Sequence, residues 1–116
     1  MAEITYRLVV PYKTVEDGKA WGVILPTGEI NLTVISGRAP SLVKVDEGMV
    51  KIMASETEVK HRLFVRKGFA SIANDVCTIA SEMIIPIEKV KLEEFKEKAE
   101  KDSFYQMILE EMKTIK

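Results

Sequence analysis

Short runs of apolar and β-branched residues, separated by turn residues, fill the chain up to residue 81. The first run alternates and places Ile4, Tyr6, Leu8 and Val10 on one face, which is the pattern of a half-buried strand. Gly and Pro fall mostly between the later runs. Strands this short, with a turn signal about every 8–12 residues, predict an all-β sandwich or barrel.

Two glycines refine this prediction. Asp17-Gly18 lies between two runs and predicts a turn. Gly22 lies inside the apolar run 20–25. A glycine in a strand indicates a bulge or a close approach of another backbone segment.

The pattern changes at Pro86. The residues from 88 to the end contain no Gly or Pro and are rich in Glu, Lys, Met and Leu, which favour helices. Apolar residues recur with helical spacing, but the phase breaks between Ala99 and Phe104, where Asp102-Ser103 can cap a second helix. The sequence therefore predicts either one long helix or two short ones.

Composition is consistent with a single β-domain that carries a helical appendage. The chain has 116 residues, of which 47% are hydrophobic and 30% are charged, so it can form a core. We place a β-sandwich domain at 1–86 and a C-terminal helical region at 87–116.

Charge and cysteine content narrow the function classes. The net charge is −1 and the pI is about 5.9, whereas nucleic-acid binders show a basic excess. The single cysteine excludes an internal disulfide and fits a reducing compartment. No secretory pattern and no apolar run of about 18 residues is present, so we expect a soluble protein or one peripheral to a membrane.

Residues with catalytic potential are isolated from one another in the sequence. His61 is the only histidine, and a triad or zinc site needs companions at suitable spacing. It lies in a strand pattern, so we expect a surface strand residue. Cys77 also lies in a strand pattern and is expected to be buried. We therefore predict no catalytic residues, no cofactor and no metal site.

The segment Ser36-Gly37-Arg38-Ala39-Pro40 separates two β-favouring runs. Gly37 allows backbone angles that other residues avoid, and Pro40 fixes its own φ and makes Ala39 extended. The result is a stiff, exposed corner with a positive charge and no chemical group beside it. Such a corner favours a binding surface over a reactive site.

Six segments occur in an order that resembles a known family. They are TYRLVV at 5–10, LPTGE at 25–29, GRAP at 37–40, GMVKI at 48–52, FVRKGFA at 64–70 and NDVCTIASE at 74–82. Their order and spacing resemble the epsilon subunits of bacterial F-type ATP synthase, called delta in mitochondria. The resemblance covers most of the chain.

The resemblance implies a fold and a place in a complex. It implies an antiparallel β-sandwich of about ten strands, followed by a helical region. It also implies a non-catalytic subunit of the rotating central stalk, which binds gamma and the c-ring and couples proton-driven rotation to ATP synthesis. We expect it at the cytoplasmic face of the bacterial inner membrane, peripheral to the bilayer and without direct insertion.

In that family the region around the corner faces the polar loops of the c-ring. Arg38 stands where the family usually has His, and Thr33 and Ser36 replace a Gly and a Pro. The resemblance thus implies a c-ring-facing surface. Its residues are Asn31, Thr33, Ser36, Gly37, Arg38, Ala39 and Pro40.

The helical region departs from the family. It is short, and the family's ATP-binding signature is present only as LEEFKE at 92–97. We therefore expect no ATP binding by the tail, and weak or no inhibition of ATP hydrolysis. The alternatives are a β-sandwich interaction module unrelated to ATP synthase, and a small enzyme, for which the sequence offers no convergent polar groups.

Overall fold

The computed structural model describes residues 3–28 and 30–114. Ten strands come first, and they are β1 Ile4–Val10, β2 Lys13–Ala20, β3 Gly22–Pro26, β4 Asn31–Ile35, β5 Ser41–Val45, β6 Gly48–Met53, β7 Val59–Val65, β8 Gly68–Ala73, β9 Val76–Ser81 and β10 Ile84–Pro86. A 3₁₀ turn at Ile87–Lys89 leads to the helices α1 Leu92–Ala99 and α2 Ser103–Thr114.

The ten strands form two five-stranded sheets packed face to face. Sheet A has the order β2-β1-β9-β8-β5, and sheet B has the order β10-β7-β6-β3-β4. The sandwich of about ten strands that the family resemblance implies is confirmed. All its strand pairs are antiparallel except β1 with β9, which is parallel. That pair joins strands far apart in the chain, so no tight turn links them.

The core lies between the inner faces of the sheets. The predicted alternation of β1 is confirmed, because its four apolar residues at alternate positions are all buried. Sheet B contributes the facing aliphatic side chains, among them Val23, Leu25 and Ile52, each 0% exposed. Burial of this apolar surface is the main force that holds the two sheets together.

The two glycines have different outcomes. Gly22 meets its prediction, because a Cβ there would lie 2.9 Å from the carbonyl oxygen of Val34. The predicted turn at Asp17-Gly18 is wrong, because both residues lie inside β2. A Cβ on Gly18 would lie 3.1 Å from the Tyr6 hydroxyl oxygen, so this glycine leaves space for the Tyr6 ring.

The helical region forms two helices. The Phe104 N–H donates to the Asp102 side chain at 3.0 Å, so Asp102 caps the start of α2 as the sequence suggested. The structure thereby decides between the two predicted alternatives. Neither helix has the length and apolarity needed for a membrane span.

Both helices pack on the outer face of sheet B. Phe64 of β7 points away from the sandwich core and is 0% exposed. It forms a second apolar cluster with residues of the helices. We call this cluster the tail core, and its buried members are Phe64, Phe95, Phe104, Tyr105 and Ile108.

A charged contact lies beside the tail core. The Arg66 guanidinium donates to the Asp102 carboxylate and lies 4.7 Å from the centre of the Phe104 ring. The hydrogen bond from Arg66 keeps the pKa of Asp102 below its ordinary value. Asp102 therefore both caps α2 and adds an ion pair that links the helix to the sandwich.

Candidate functional site: the corner between the two sheets

The corner 36–40 connects the edge strand of one sheet to the edge strand of the other. β4 is the last strand of sheet B, and β5 is the last strand of sheet A. The chain crosses between them in the five residues that follow Ile35. This position presents the corner at one end of the sandwich.

The backbone of the corner is held in place by a neighbouring hairpin. Gly37 has a φ of +84°, which favours glycine. Its N–H donates to the Asp75 carboxylate at 2.8 Å. Asp75 lies at the turn between β8 and β9, and its carbonyl oxygen accepts the Thr5 N–H at 2.8 Å. The corner is thus connected to β1 through Asp75, in agreement with the predicted stiffness.

All seven residues of the predicted surface lie on β4 or in the corner. Ser36 is half-buried, and the other six are exposed. Among the described residues, Arg38 takes part in no ion pair. Its guanidinium is therefore available to an external acceptor.

The outer face of sheet A is a surface that the sequence did not reveal. Leu42 on β5 is 73% exposed and Phe69 on β8 is 56% exposed. The register places Phe69 beside Ala80, and Ala80 beside Val9. Strand alternation alone did not show that these side chains lie on one face, because that depends on which strands are neighbours in the sheet.

Within the described residues, the arrangement of metal-ligating side chains and the state of Cys77 bear on possible chemistry. No group of three or more His, Cys, Asp or Glu is arranged to hold a metal ion within them. Cys77 is buried as predicted, and burial raises the pKa of its thiol to about 11. The reactive thiolate is therefore disfavoured.

His61 differs from its prediction. It lies on β7 as expected, but it is half-buried and contacts two carboxylates instead of standing alone. One is Glu16, about 45 positions earlier in the chain, and the other is Glu88, 27 positions later. Sequence spacing gave no sign of this cluster, because only the fold brings the three residues together.

Comparison with known proteins assigns the sandwich. The family model described as ATP synthase, Delta/Epsilon chain, beta-sandwich domain matches residues 3–87. The chain belongs to this family. The membership excludes the alternative of a sandwich module unrelated to ATP synthase.

Curated relatives support the assignment. The ATP synthase epsilon chain of Nostoc sp. is 36% identical over 76 residues, which cover 66% of this chain and 56% of that protein. The epsilon chain of Granulibacter bethesdensis is 29% identical over 94 residues, which cover 81% of this chain and 69% of that protein. The match thus spans little more than half the length of the Nostoc relative.

Two solved structures share the fold. One is a chain in the mitochondrial ATP synthase of Euglena gracilis, in a structure of OSCP, F1 and the c-ring. It has a TM-score of 0.72 at 16% identity and covers 95% of this chain and 77% of that one. The other is in the central stalk and c-ring of the Tetrahymena thermophila mitochondrial enzyme, with a TM-score of 0.64 at 17% identity and coverage of 94% and 96%.

The geometry of Gly37 predicts the effect of a side chain at the corner. No atom lies within 4 Å of a Cβ built there, so Gly37→Ala would affect only the backbone. We expect a loss of about 1–2 kcal/mol of unfolding free energy, the cost of a left-handed conformation for an ordinary residue. Urea denaturation measures it, with Ser36→Ala as the control. Equal stability of the two variants would contradict the account.

Proposed function

We propose that this chain is a non-catalytic subunit of the central stalk of an F-type ATP synthase. In this role it links gamma to the c-ring and couples proton-driven rotation to ATP synthesis. The observation that carries the proposal is the family match over residues 3–87. The similar folds of chains in two mitochondrial ATP synthase structures that include the c-ring support it.

In the proposed role, the sandwich and the helical region of the chain act differently. We place the docking domain at residues 1–86 and the helical region at residues 87–116, whose described helices α1 and α2 pack against the sandwich. The subunit is peripheral to the membrane through the complex, at the cytoplasmic face of the bacterial inner membrane. It needs no cofactor, because its work is to transmit torque between partners.

The corner is the proposed contact with the c-ring. It is exposed, and its backbone is fixed by the hydrogen bond from Gly37 to Asp75. A fixed loop loses little conformational entropy on binding. Arg38 adds a cation with five donors, which suits an acidic or carbonyl-rich loop.

Substitution of Arg38 tests this contact. Arg38→Ala should weaken binding of the assembled stalk to the c-ring, and Arg38→Glu should weaken it further, because the substitution replaces attraction to an acidic loop by repulsion. Binding of detergent-solubilised c-ring is the measurement. The matched control is Lys96→Glu, a similar reversal of charge at an exposed position of α1, away from the corner and from sheet A. Unchanged binding by both Arg38 variants would overturn the proposed contact.

The outer face of sheet A is the proposed contact with gamma. The sandwich has two outer faces, and the helices cover part of the face of sheet B. Sheet A has no such cover among the described residues, and it exposes Leu42 and Phe69. Exposed aromatic side chains within an apolar surface are preferred anchors of protein interfaces.

A single substitution tests the gamma contact. Phe69→Ala should weaken gamma binding by about tenfold or more, the loss expected when an interface anchor is truncated. Isothermal titration with purified gamma measures it. Leu92→Ala is the control, because Leu92 is 49% exposed but lies on α1. Equal effects of the two substitutions would contradict the assignment of this face.

The tail is proposed to be a weak inhibitor of ATP hydrolysis or none, and not to bind ATP. The docked helices bury Phe95, Phe104 and Ile108. Exposing each such side chain to water costs about 1.5–3 kcal/mol. A tail that extends toward the catalytic head would lose these contacts, and this loss favours the docked state.

Two variants test the tail. Truncation after Pro86 should leave the ATPase activity of the assembled complex nearly unchanged, and a large rise would refute the proposal. Truncation also uncovers Phe64, so Phe104→Ala in the full chain is the companion variant, which loosens the tail without removing it. Its ATPase activity should also be unchanged. A fall would mean that a released tail inhibits.

A further inference from the structure

His61 bridges two carboxylates through its two ring nitrogens. Nδ1 lies 2.8 Å from Glu16 Oε1, and Nε2 lies 2.8 Å from Glu88 Oε2. The side chain of His61 is 19% exposed, and that of Glu88 is 59% exposed. Both distances are those of direct hydrogen bonds.

With both carboxylates ionised, only a charged imidazole can donate to each of them. A neutral imidazole carries one N–H and can donate to one carboxylate, whereas the imidazolium carries two. In the neutral form one carboxylate would face a nitrogen lone pair. The geometry therefore selects the protonated ring, whichever tautomer is considered.

The three residues come from three separate parts of the fold. Glu16 lies on β2, the edge strand of sheet A, and His61 lies on β7 of sheet B. Glu88 lies in the 3₁₀ turn that connects β10 to α1. The cluster therefore joins both sheets to the junction with the helices.

We propose that Glu16, His61 and Glu88 form a proton-dependent clasp that holds the junction 87–91 against the sandwich. With His61 protonated, both carboxylates are bound and the junction is fixed. Loss of the proton leaves His61 able to keep only one of them. The clasp rests on the geometry of this chain and does not depend on the proposed place in ATP synthase.

Glu88 is the carboxylate that deprotonation releases. Glu16 has a second partner, because Tyr6 Oη donates to it at 2.9 Å. Burial, followed by the hydrogen bond to Glu16, raises the pKa of Tyr6 to about 12, so this donor is retained throughout the neutral range. The Glu88 side chain is 59% exposed and that of Glu16 is 25% exposed, and the Glu88 carboxylate also accepts a hydrogen bond from its own backbone. Water can therefore replace the lost His61 bond at lower cost at Glu88 than at Glu16.

The other charged groups nearby do not contact His61. Lys60 lies 6.0 Å from the Tyr6 ring centre and donates to the carbonyl oxygen of Lys19 at 3.1 Å. The charge of Asp17 adds to the rise in the pKa of Tyr6 that burial mainly causes. The charge of Lys89 adds to the fall in the pKa of Glu88 that the His61 hydrogen bond mainly causes. The groups that act directly on His61 are the two carboxylates of the clasp.

The direction of the pH dependence follows from the shifts. Partial burial lowers the pKa of His61, but the hydrogen bonds to Glu88 and Glu16 outweigh it and the net pKa is above its ordinary value of 6.5. The stabilisation is therefore complete below 6.5 and is lost as pH rises through the raised value.

Glu88 sets the lower limit of the pH range in which the clasp is closed. The hydrogen bond from His61 lowers the pKa of Glu88 below its ordinary 4.5, so its contribution is present above 4.5 and is lost as pH falls through the lowered value. The clasp is thus closed between the titrations of Glu88 and His61.

The titration of His61 in the full chain tests the proposal directly. It is the only histidine, so its ring signals in an NMR titration need no separation from others. The expected pKa is above 6.5 in the native chain and falls in Glu88→Gln and in Glu16→Gln. A native pKa at or below 6.5 would overturn the proposal.

Hydrogen exchange tests the consequence for the junction. The Val90 N–H donates to the Ile87 carbonyl oxygen at 3.2 Å, so its protection factor reports whether the junction is fixed. We expect the factor to fall about threefold once His61 is deprotonated, as expected for a partly exposed ion pair. In Glu88→Gln the protection factor of Val90 should be low both below and above the pH at which His61 loses its proton.

The control for hydrogen exchange is Glu94→Gln, an equal change on α1 away from the clasp. This variant should behave as the native chain. A native protection factor that does not change across the His61 titration, or one that changes equally in Glu88→Gln, would contradict the clasp.

Discussion

The packing of the tail core on sheet B is the interaction that decides which faces of the sandwich stay exposed. Phe64 points outward from a strand whose neighbours Leu63 and Val65 point into the sandwich. An uncovered phenylalanine on the outer face of a sheet adds to an exposed apolar patch, and such patches favour association with other molecules. The helices cover it with Phe104 and Ile108, so sheet A and the corner remain exposed as the proposed contact surfaces.

Much of the fold was predictable because local patterns agree with tertiary structure. The alternation in β1 indicates a strand with one buried face. The repeated short runs predict a sandwich or a barrel, and the family resemblance implies the sandwich. The predicted turn at Asp17-Gly18 failed for a tertiary reason, since glycine there makes space for Tyr6 across the strand pair. The parallel pairing of β1 with β9 could not be predicted either, because the sequence of a strand does not show which strand lies beside it.

The candidate site was predictable only in part. The corner was predictable because the residue types of Gly37 and Pro40 determine the local backbone conformation. The apolar face at Phe69 and the cluster around His61 were not found, because both assemble from residues distant in the chain. The His61 cluster shows the limit of spacing arguments, since its carboxylates come from β2 and from the 3₁₀ turn.

The most direct test of the account is the position of this chain in the intact ATP synthase of its own organism. A cryo-EM map of the complex extracted from membranes would show it. The account predicts Arg38 against a loop of the c-ring, Phe69 buried against gamma, and the helices packed on sheet B. A chain outside the central stalk, or one whose corner faces solvent, would contradict it.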